Sequence, residues 1–282
     1  MSKTLCFGEL LWDIIGNEKK IGGAPFNVAA HLAKLGCDSH IISAVGDDEL
    51  GRESLAYCVK LGVNTDLVSV LPGRNTGTAV CTLNASGSAT YAFDDNAAYD
   101  YIPAKNPAKD YDALCFGSLA QMNPVSSKAL GAALCLGRFG LIVYDVNIRR
   151  DFYPADMLER SFAASNIVKF NDEELLLIPT RLYGREMDAA EFSAAVKKDF
   201  NVDAVVVTEG GKGCTVASDG KATFVAQTAK VTVVDTIGAG DAFCAAFIDE
   251  YLRTRDAVRA AEKGNQRGAL VCSMRGAVPD GI

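Results

Sequence analysis

Val231–Phe247 reads VTVVDTIGAGDAFCAAF, and the fold is decided there. Its opening is rich in β-branched residues, Val231, Val233 and Val234, and predicts a buried strand. Its close, with Ala242, Phe243, Ala245, Ala246 and Phe247, predicts a helix packed on a core. Gly238, Ala239 and Gly240 between them are small enough for a tight turn and a close backbone approach. The N–H groups that open a helix have no intrahelical partner, and the dipole there favours negative charge. The turn is therefore a ready anion site. Asp241 puts a carboxylate where an anion would bind. It reads in two ways: as a helix cap, or as a base that takes a proton from a hydroxyl attacking a phosphoryl group. The chain contains no G-x-x-x-x-G-K-[ST], which excludes a P-loop. Gly238-x-Gly240 lacks a third glycine and falls too late for a dinucleotide fingerprint.

Outward from this stretch, strand and helix patterns alternate. Strands are expected at Leu5–Gly8, Ser39–Val45, Ala113–Phe116, Leu141–Asp145, Val168–Phe170 and Ala204–Thr208. Helical spacing runs from Phe26 to Gly36, from Asp48 to Gly62, and over Pro124–Arg138, Ala155–Ser165, Asp172–Leu177, Glu186–Phe200 and Asp256–Ser273. Cys214–Ala217 and Ala222–Ala226 read as a hairpin about Ser218-Asp219-Gly220. Such alternation predicts a mostly parallel sheet covered on both faces. One region breaks the pattern. Thr78–Leu83 and Ala89–Phe93 are β-like with no helix between them, and Asn84-Ala85-Ser86-Gly87 is a hairpin signal. A small antiparallel flap is expected from residues 68–100, with Glu9–Ile21 supplying further strands. No repeat or linker divides the chain, so residues 1–282 read as one domain.

The 282 residues carry 28 Lys and Arg against 35 Asp and Glu, a net charge of −7 that argues against nucleic-acid binding. Anionic small molecules stay open, because backbone N–H groups supply local positive potential. The nine cysteines are scattered, form no C-x-x-C, and predict free thiols in a reducing cytoplasm. Glu9 and Asp13 break the N-terminal apolar run, which rules against a signal peptide there, and no segment reads as a membrane span.

In an open parallel sheet ligands bind beyond the carboxyl ends of the strands. Polar clusters follow four of them: Asp145-x-Asn147-x-Arg149, Asn171 to Glu174, Thr208 to Gly213, and Asp235 with the Gly-Ala-Gly-Asp turn. Each also has a plain structural reading. Asn171 and Glu174 fit a capping box as well as a magnesium site. Arg149 fits a surface charge, and Gly210, Gly211 and Gly213 fit a turn. His31 and His40, the two histidines, have no acid or nucleophile at suggestive spacing and read as structural.

Taken together the motifs resemble the ribokinase-like (PfkB) family of carbohydrate kinases over nearly the whole chain. The matching stretches are Gly22-Gly23-Ala24-Pro25-Phe26-Asn27, Gly46-Asp47-Asp48 with Gly51, Asn171-x-x-Glu174 and Asp235–Phe243, with Ile237 where threonine is commoner. The resemblance implies a three-layer α/β/α fold with a small β lid over a sugar. It implies Asp241 as catalytic base and Gly238, Ala239 and Gly240 as the anion hole. Asp13, Gly22, Gly23 and Asn27 correspond to sugar-binding positions. Thr208, Gly210 and Gly213 match the nucleotide-side turn, and Asn265 lies where the family contacts adenine. Glu174 and Asn171 match the magnesium motif, acting through water. ATP and Mg²⁺ are the implied cofactors. Some members are activated by a monovalent cation, for which no residues here assign a site.

Gly22-Gly23-Ala24-Pro25 and Asp145-x-Asn147-x-Arg149 look most like fructokinases. Arg149 is also compatible with a keto-deoxy sugar acid. Kinases for ribose, nucleosides or sugar phosphates are the alternatives, followed by a non-catalytic binding protein. A dehydrogenase is the most distant of these readings. An exposed face on the lid sheet would offer a homodimer its pairing surface.

Overall fold

The computed structural model describes residues 1–282 apart from 17, 84–88, 108–109 and 150–151. The expected hairpin turn at 84–87 lies outside the described residues. The chain opens with β1 (Lys3–Phe7), then β2 (Leu11–Ile15) and β3 (Glu18–Gly22). Helix α1 (Ala24–Lys34), β4 (Asp38–Gly46), α2 (Glu49–Lys60), β5 (Val63–Asn64) and β6 (Val68–Leu71) follow. Next come β7 (Gly77–Leu83) and β8 (Ala89–Phe93). The second half runs β9 (Asp110–Tyr111), β10 (Ala113–Phe116), α3 (Pro124–Leu136), β11 (Arg138–Phe139), β12 (Ile142–Asp145) and α4 (Ala155–Ala163). It continues with β13 (Ile167–Asn171), α5 (Asp172–Tyr183), α6 (Ala189–Phe200), β14 (Ala204–Thr208), β15 (Gly213–Ser218) and β16 (Lys221–Ala226). Helices α7 (Ala239–Thr254) and α8 (Ala257–Cys272) close the fold.

The central sheet has the order β16-β15-β14-β13-β12-β10-β1-β4-β5, with β6 also paired to β4. From β14 through β1 to β5 the pairings are parallel, whereas β14–β15 and β15–β16 are antiparallel. Both faces are buried, as the apolar strand runs require. Leu5, Phe7, Leu114, Phe116, Val205 and Val207 face α3, α4, α5 and α6, where Leu130, Leu158, Phe162, Ile178 and Phe192 meet them. The alternate residues Cys6, Cys115 and Val206 face α1, α7 and α8, against Phe26, Leu32, Phe247 and Ile248. This is the expected three-layer arrangement. The chain leaves β1 toward β4 and later places β10 on the other side of β1. The strand order therefore reverses at β1, and a crevice opens there beyond the carboxyl ends.

Helix α7 is held close to α8 by two glycines. A Cβ on Gly264 would stand 2.7 Å from the Phe243 ring, and one on Gly268 would stand 3.1 Å from the Ala239 carbonyl oxygen. This packing fixes the N-terminus of α7 at the crevice.

A second sheet, β3-β2-β7-β8, stands over the same end. Its body-facing residues Leu11 and Ala79 pack with Ala97, Tyr99 and Leu119. Val68–Leu71, expected with the flap, instead pairs with β4 and extends the central sheet.

The largest correction concerns Val231–Val234. The β-branched run forms no strand. Val231, Val233 and Val234 are 38%, 61% and 53% exposed. The hairpin β15–β16 makes that edge of the sheet, and the returning chain does not pair with it. The Val234 and Asp235 N–H groups both donate to the Cys272 carbonyl, at 2.8 and 3.3 Å. The run thus becomes a loop that leads into α7 and walls the crevice.

Candidate active site

The crevice is a cavity of about 830 Å³. Its walls include Glu9, Asp13, Gly23 and Asn27 from the N-terminal quarter, and Asp145, Arg149, Lys169, Asn171, Glu174 and Thr208 from the strand ends. Gly238, Gly240 and Asp241 complete it. Phe93 and Leu11 add an apolar wall from the second sheet.

Asp241 stands in the first turn of α7. Gly238 is the N-cap, at φ 75°, and contributes no capping side chain. A Cβ there would meet Ala277 at 2.5 Å, so only glycine fits both the conformation and the space. The Ala239 N–H turns back to the Thr236 carbonyl at 3.3 Å, and the first helical bond runs from Ala242 N–H to the Gly238 carbonyl. The Gly240 and Asp241 N–H groups between them are the orphan donors of the helix end. Asn27 Nδ2 donates to Asp241 Oδ2 at 2.8 Å. Burial first, with nearby Asp145 adding and Asn27, Lys169 and Arg149 opposing, raises the Asp241 carboxyl to about 6. The same side chain is only half-buried, because one side faces the cavity.

Asp13 lies on β2 beside Gly22 of β3. A Cβ on Gly22 would stand 2.3 Å from Asp13 Oδ2. Burial, reinforced by Asp241 and opposed by Arg149, raises the Asp13 carboxyl to about 6. Gly23 precedes α1 at φ 106°. Arg149 is exposed, and its Nη1 donates to the Ile148 carbonyl at 3.0 Å.

Asn171 and Glu174 form a capping box at the start of α5. Asn171 Oδ1 accepts from Glu174 N–H at 2.8 Å, and Glu174 Oε2 accepts from Asn171 N–H at 2.9 Å. Glu174 Oε1 accepts from Ile148 N–H at 2.6 Å. Burial raises the Glu174 carboxyl above its ordinary value, against those backbone donors and Lys169. Both oxygens are engaged, and among the described residues no group of three or more His, Cys, Asp or Glu side chains is placed to hold a metal. These residues fit an ion reached through water rather than one ligated directly.

Thr208 lines the cavity, but Ala239, Gly22, Gly210, Gly213 and Asn265 do not. Gly210 and Gly213 have φ of 56° and 132° around the β14–β15 turn. Gly213 passes so close to the Val225 carbonyl that a Cβ would lie 2.2 Å from it. Asn265 is buried, and its Nδ2 donates to the Val225 carbonyl at 2.9 Å, tying α8 to β16. Its side-chain donor faces the sheet edge rather than the cavity.

The sequence reading passed over two features. The first is a buried ion pair, Lys169 Nζ to Asp145 Oδ1 at 2.8 Å, with side chains 9% and 6% exposed. Burial alone would lower the Lys169 ammonium; Asp145, aided by Cys244 and Glu174, outweighs it and holds the ammonium above its ordinary value. Nζ lies 3.7 Å from the place of a Gly240 Cβ, beneath the α7 terminus. The second is a set of buried oxygens without a hydrogen-bond partner: Glu9 Oε2, Asn27 Oδ1 and Asp145 Oδ2, all on this cavity. Native proteins rarely leave such atoms bare. The apolar neighbours of Lys169 and Glu9 in sequence carried no signal for either feature.

With this geometry in view, the relatives are informative. The pfkB family carbohydrate kinase model matches residues 1–280, and the chain belongs to that family. A fructokinase from Klebsiella pneumoniae is 31% identical over 80% of this chain and 75% of its own. The structure of fructokinase from Vibrio cholerae O395 in its fructose, ADP and calcium ion bound form matches at TM-score 0.83 and 26% identity, covering 99% of this chain and 95% of that one. An uncharacterized sugar kinase from Pyrococcus horikoshii in complex with ATP matches at TM-score 0.82 and 26% identity, covering 98% and 94%. The protein is therefore a carbohydrate kinase. Among the described residues no helix is long and apolar enough to cross a membrane.

Proposed function

We propose that the protein is a fructokinase, transferring the γ-phosphate of ATP to a primary hydroxyl of fructose. The observation that carries the reading is the bond from Asn27 to Asp241, which joins residues 214 positions apart at one cavity. It couples the expected sugar-binding stretch to the expected base. The fructose-bound and ATP-bound relatives support the same pair of substrates.

In this mechanism Asp13 and Asn27 hold sugar hydroxyls, with Gly22 and Gly23 letting the backbone approach. Asp241 accepts the proton of the attacking hydroxyl. A carboxyl at about 6 suits this role: it is ionised at neutral pH yet basic enough to take a proton. The Gly240 and Asp241 N–H groups, with Lys169 beneath them, face the charge that develops on the transferred phosphoryl group. Magnesium, when bound, neutralises phosphate charge; Glu174 and Asn171 would hold it through water. The loop carrying Val233 and Val234 and the turn at Thr208, Gly210 and Gly213 form the nucleotide side. The second sheet acts as a lid that excludes water as a competing acceptor.

A neutral sugar suits the walls better than a sugar acid. Glu9, Asp13, Asp145 and Asp241 all face the cavity, and of the two cations there among the described residues, Lys169 is already paired. Among the described residues that leaves Arg149 to answer a substrate carboxylate, and it lowers the neighbouring Asp13 and Asp241 carboxyls instead. The test is ADP release with Mg-ATP against fructose, ribose, glucose, tagatose, 2-keto-3-deoxygluconate, adenosine and fructose 6-phosphate. Fructose is expected to give the highest kcat/KM. A clear preference for the sugar acid would overturn the assignment and give Arg149 the carboxylate.

A further inference from the structure

Glu9 directly follows β1 and Gly8, and it is 4% exposed. Two glycines seat it there. A Cβ on Gly8 would lie 2.5 Å from Pro25 Cγ, and one on Gly23 would lie 2.4 Å from the Glu9 carbonyl oxygen and 3.3 Å from its Cγ. The Glu9 side chain is thereby pressed against the start of α1. Gly23, the N-cap of α1, contributes no side chain, and no acidic residue occupies the first turn. The N–H groups of Ala24 and of Glu9 itself favour the Glu9 carboxylate, so it serves the helix end that Gly23 cannot. Capping accounts for one side of the carboxyl. It does not account for Oε2, which is buried and has no partner among the described residues, on a side chain that lines the cavity. A buried acceptor without a donor is costly, and a pre-organised one beside a substrate cavity is expected to receive its donor from the substrate.

We propose that Glu9 is a specificity-determining residue of the acceptor site, whose Oε2 accepts a hydrogen bond from a non-reacting hydroxyl of the sugar. Asp13, Asn27 and Asp241 stand on the same wall, so the sugar is grasped on this side by three carboxyls and an amide. That is a surface for a polyol. A site built around such a bond rejects an analogue that lacks the hydroxyl, because the acceptor is then left bare. The inference rests on fructose being the acceptor.

The test compares kcat/KM for D-fructose with that for each monodeoxy-fructose that keeps the accepting hydroxyl. In the wild-type enzyme the analogue lacking the hydroxyl held by Glu9 is expected to fall by about 10–100-fold, the scale of one hydrogen bond to a charged group, beside losses for analogues lacking a hydroxyl held by Asp13 or Asn27. In Glu9→Ala the ratio for that analogue is expected to approach one, while the ratios for the others stay. If the loss of the cap unfolds Glu9→Ala, Glu9→Gln keeps an acceptor for the Ala24 N–H, and the same ratio is expected to shrink by about tenfold. Ratios unchanged in both variants would make Glu9 a helix cap only and overturn the inference. No turnover of D-fructose by the wild-type enzyme would overturn the acceptor reading, and the role of Glu9 with it.

Discussion

Gly22 of β3 pairs with Leu11 and lies diagonally from Asp13 of β2, so closely that a Cβ on the glycine would lie 2.3 Å from Asp13 Oδ2. The missing side chain is what lets the carboxylate stand over the cavity. Gly22→Ala therefore pushes Asp13 aside without touching the nucleotide end. The expected outcome is a fall of about tenfold or more in kcat/KM for the sugar, the scale of one lost charged hydrogen bond, with the KM for ATP nearly unchanged. Two-substrate steady-state kinetics separate the two. Equal losses on both substrates would mean that the lid, rather than Asp13, had been disturbed.

Asp241→Asn preserves the shape of the site and the contact with Asn27 but removes the proposed base. A positioned base contributes about 10²–10⁴ in rate, so kcat is expected to fall by at least about 10² while the protein stays folded. In the wild-type enzyme the carboxyl sits at about 6 and must be ionised to act. Activity is therefore lost as pH falls through about 6, and this acid limb should be absent from the residual rate of the variant. Near-normal turnover in folded Asp241→Asn would falsify the assignment.

Much of the fold was legible in residue patterns because central strands buried on both faces must be apolar throughout. Leu5–Phe7, Leu114–Phe116 and Val205–Val207 announce themselves for that reason. The same rule misreads Val231–Val234, since β propensity says nothing about whether the chain is led alongside a strand to pair with it. The glycine turn and Asp241 were readable from their order. Lys169 and Glu9 were not, because their meaning comes from residues distant in sequence: Asp145 and Gly240 for one, Gly23, Ala24 and Asp241 for the other.

Lys169 and Asp145 provide a test of the site's electrostatics. Removing one partner of a buried pair leaves an uncompensated charge and costs about 3–5 kcal/mol. Lys169→Met should lose that much stability in urea titration, and adding Asp145→Asn should restore part of it. The Lys169 charge also lowers the Asp241 carboxyl. Its removal should move the acid limb of the kcat profile to higher pH. A limb that stays in place would confine Lys169 to a structural role.

Glu9 links the site to stability. Burial first, with Asp241 adding, raises its carboxyl from 4.5 to about 7. Between those values the unfolded chain ionises while the folded protein keeps the proton, so stability falls as pH rises through this window. Above it the penalty amounts to at most about 3 kcal/mol. Glu9→Gln removes the ionisation and keeps the cap. Its melting temperature relative to wild type should be several degrees higher at pH 8 than at pH 5. The same difference at both pH values would show that the folded protein tolerates the Glu9 charge.

Trp12 is the sole tryptophan, and it follows Leu11 and precedes Asp13 on β2. Those two neighbours face the cavity, so Trp12 points the other way, where it is 3% exposed. Its Nε1 donates to the Leu50 carbonyl at 3.1 Å and to Ser54 Oγ at 2.9 Å, and its ring meets Tyr57 edge-on at 6.0 Å. Lys19 lies over the ring at 5.4 Å and pairs with Glu53 at 2.7 Å. Strand β2 is thus pinned to α2 through one indole, while Asp13 on the same strand lines the cavity. Any shift of the lid on sugar binding must change the surroundings of that indole. Intrinsic fluorescence is therefore expected to start at the short wavelength of a buried tryptophan and to respond to fructose in a saturable way, with ATP alone giving little change. Ser54→Ala, which removes one acceptor of the indole, should enlarge the response. A response to ATP but not to fructose would place the moving part on the nucleotide side and remove the lid role from the second sheet.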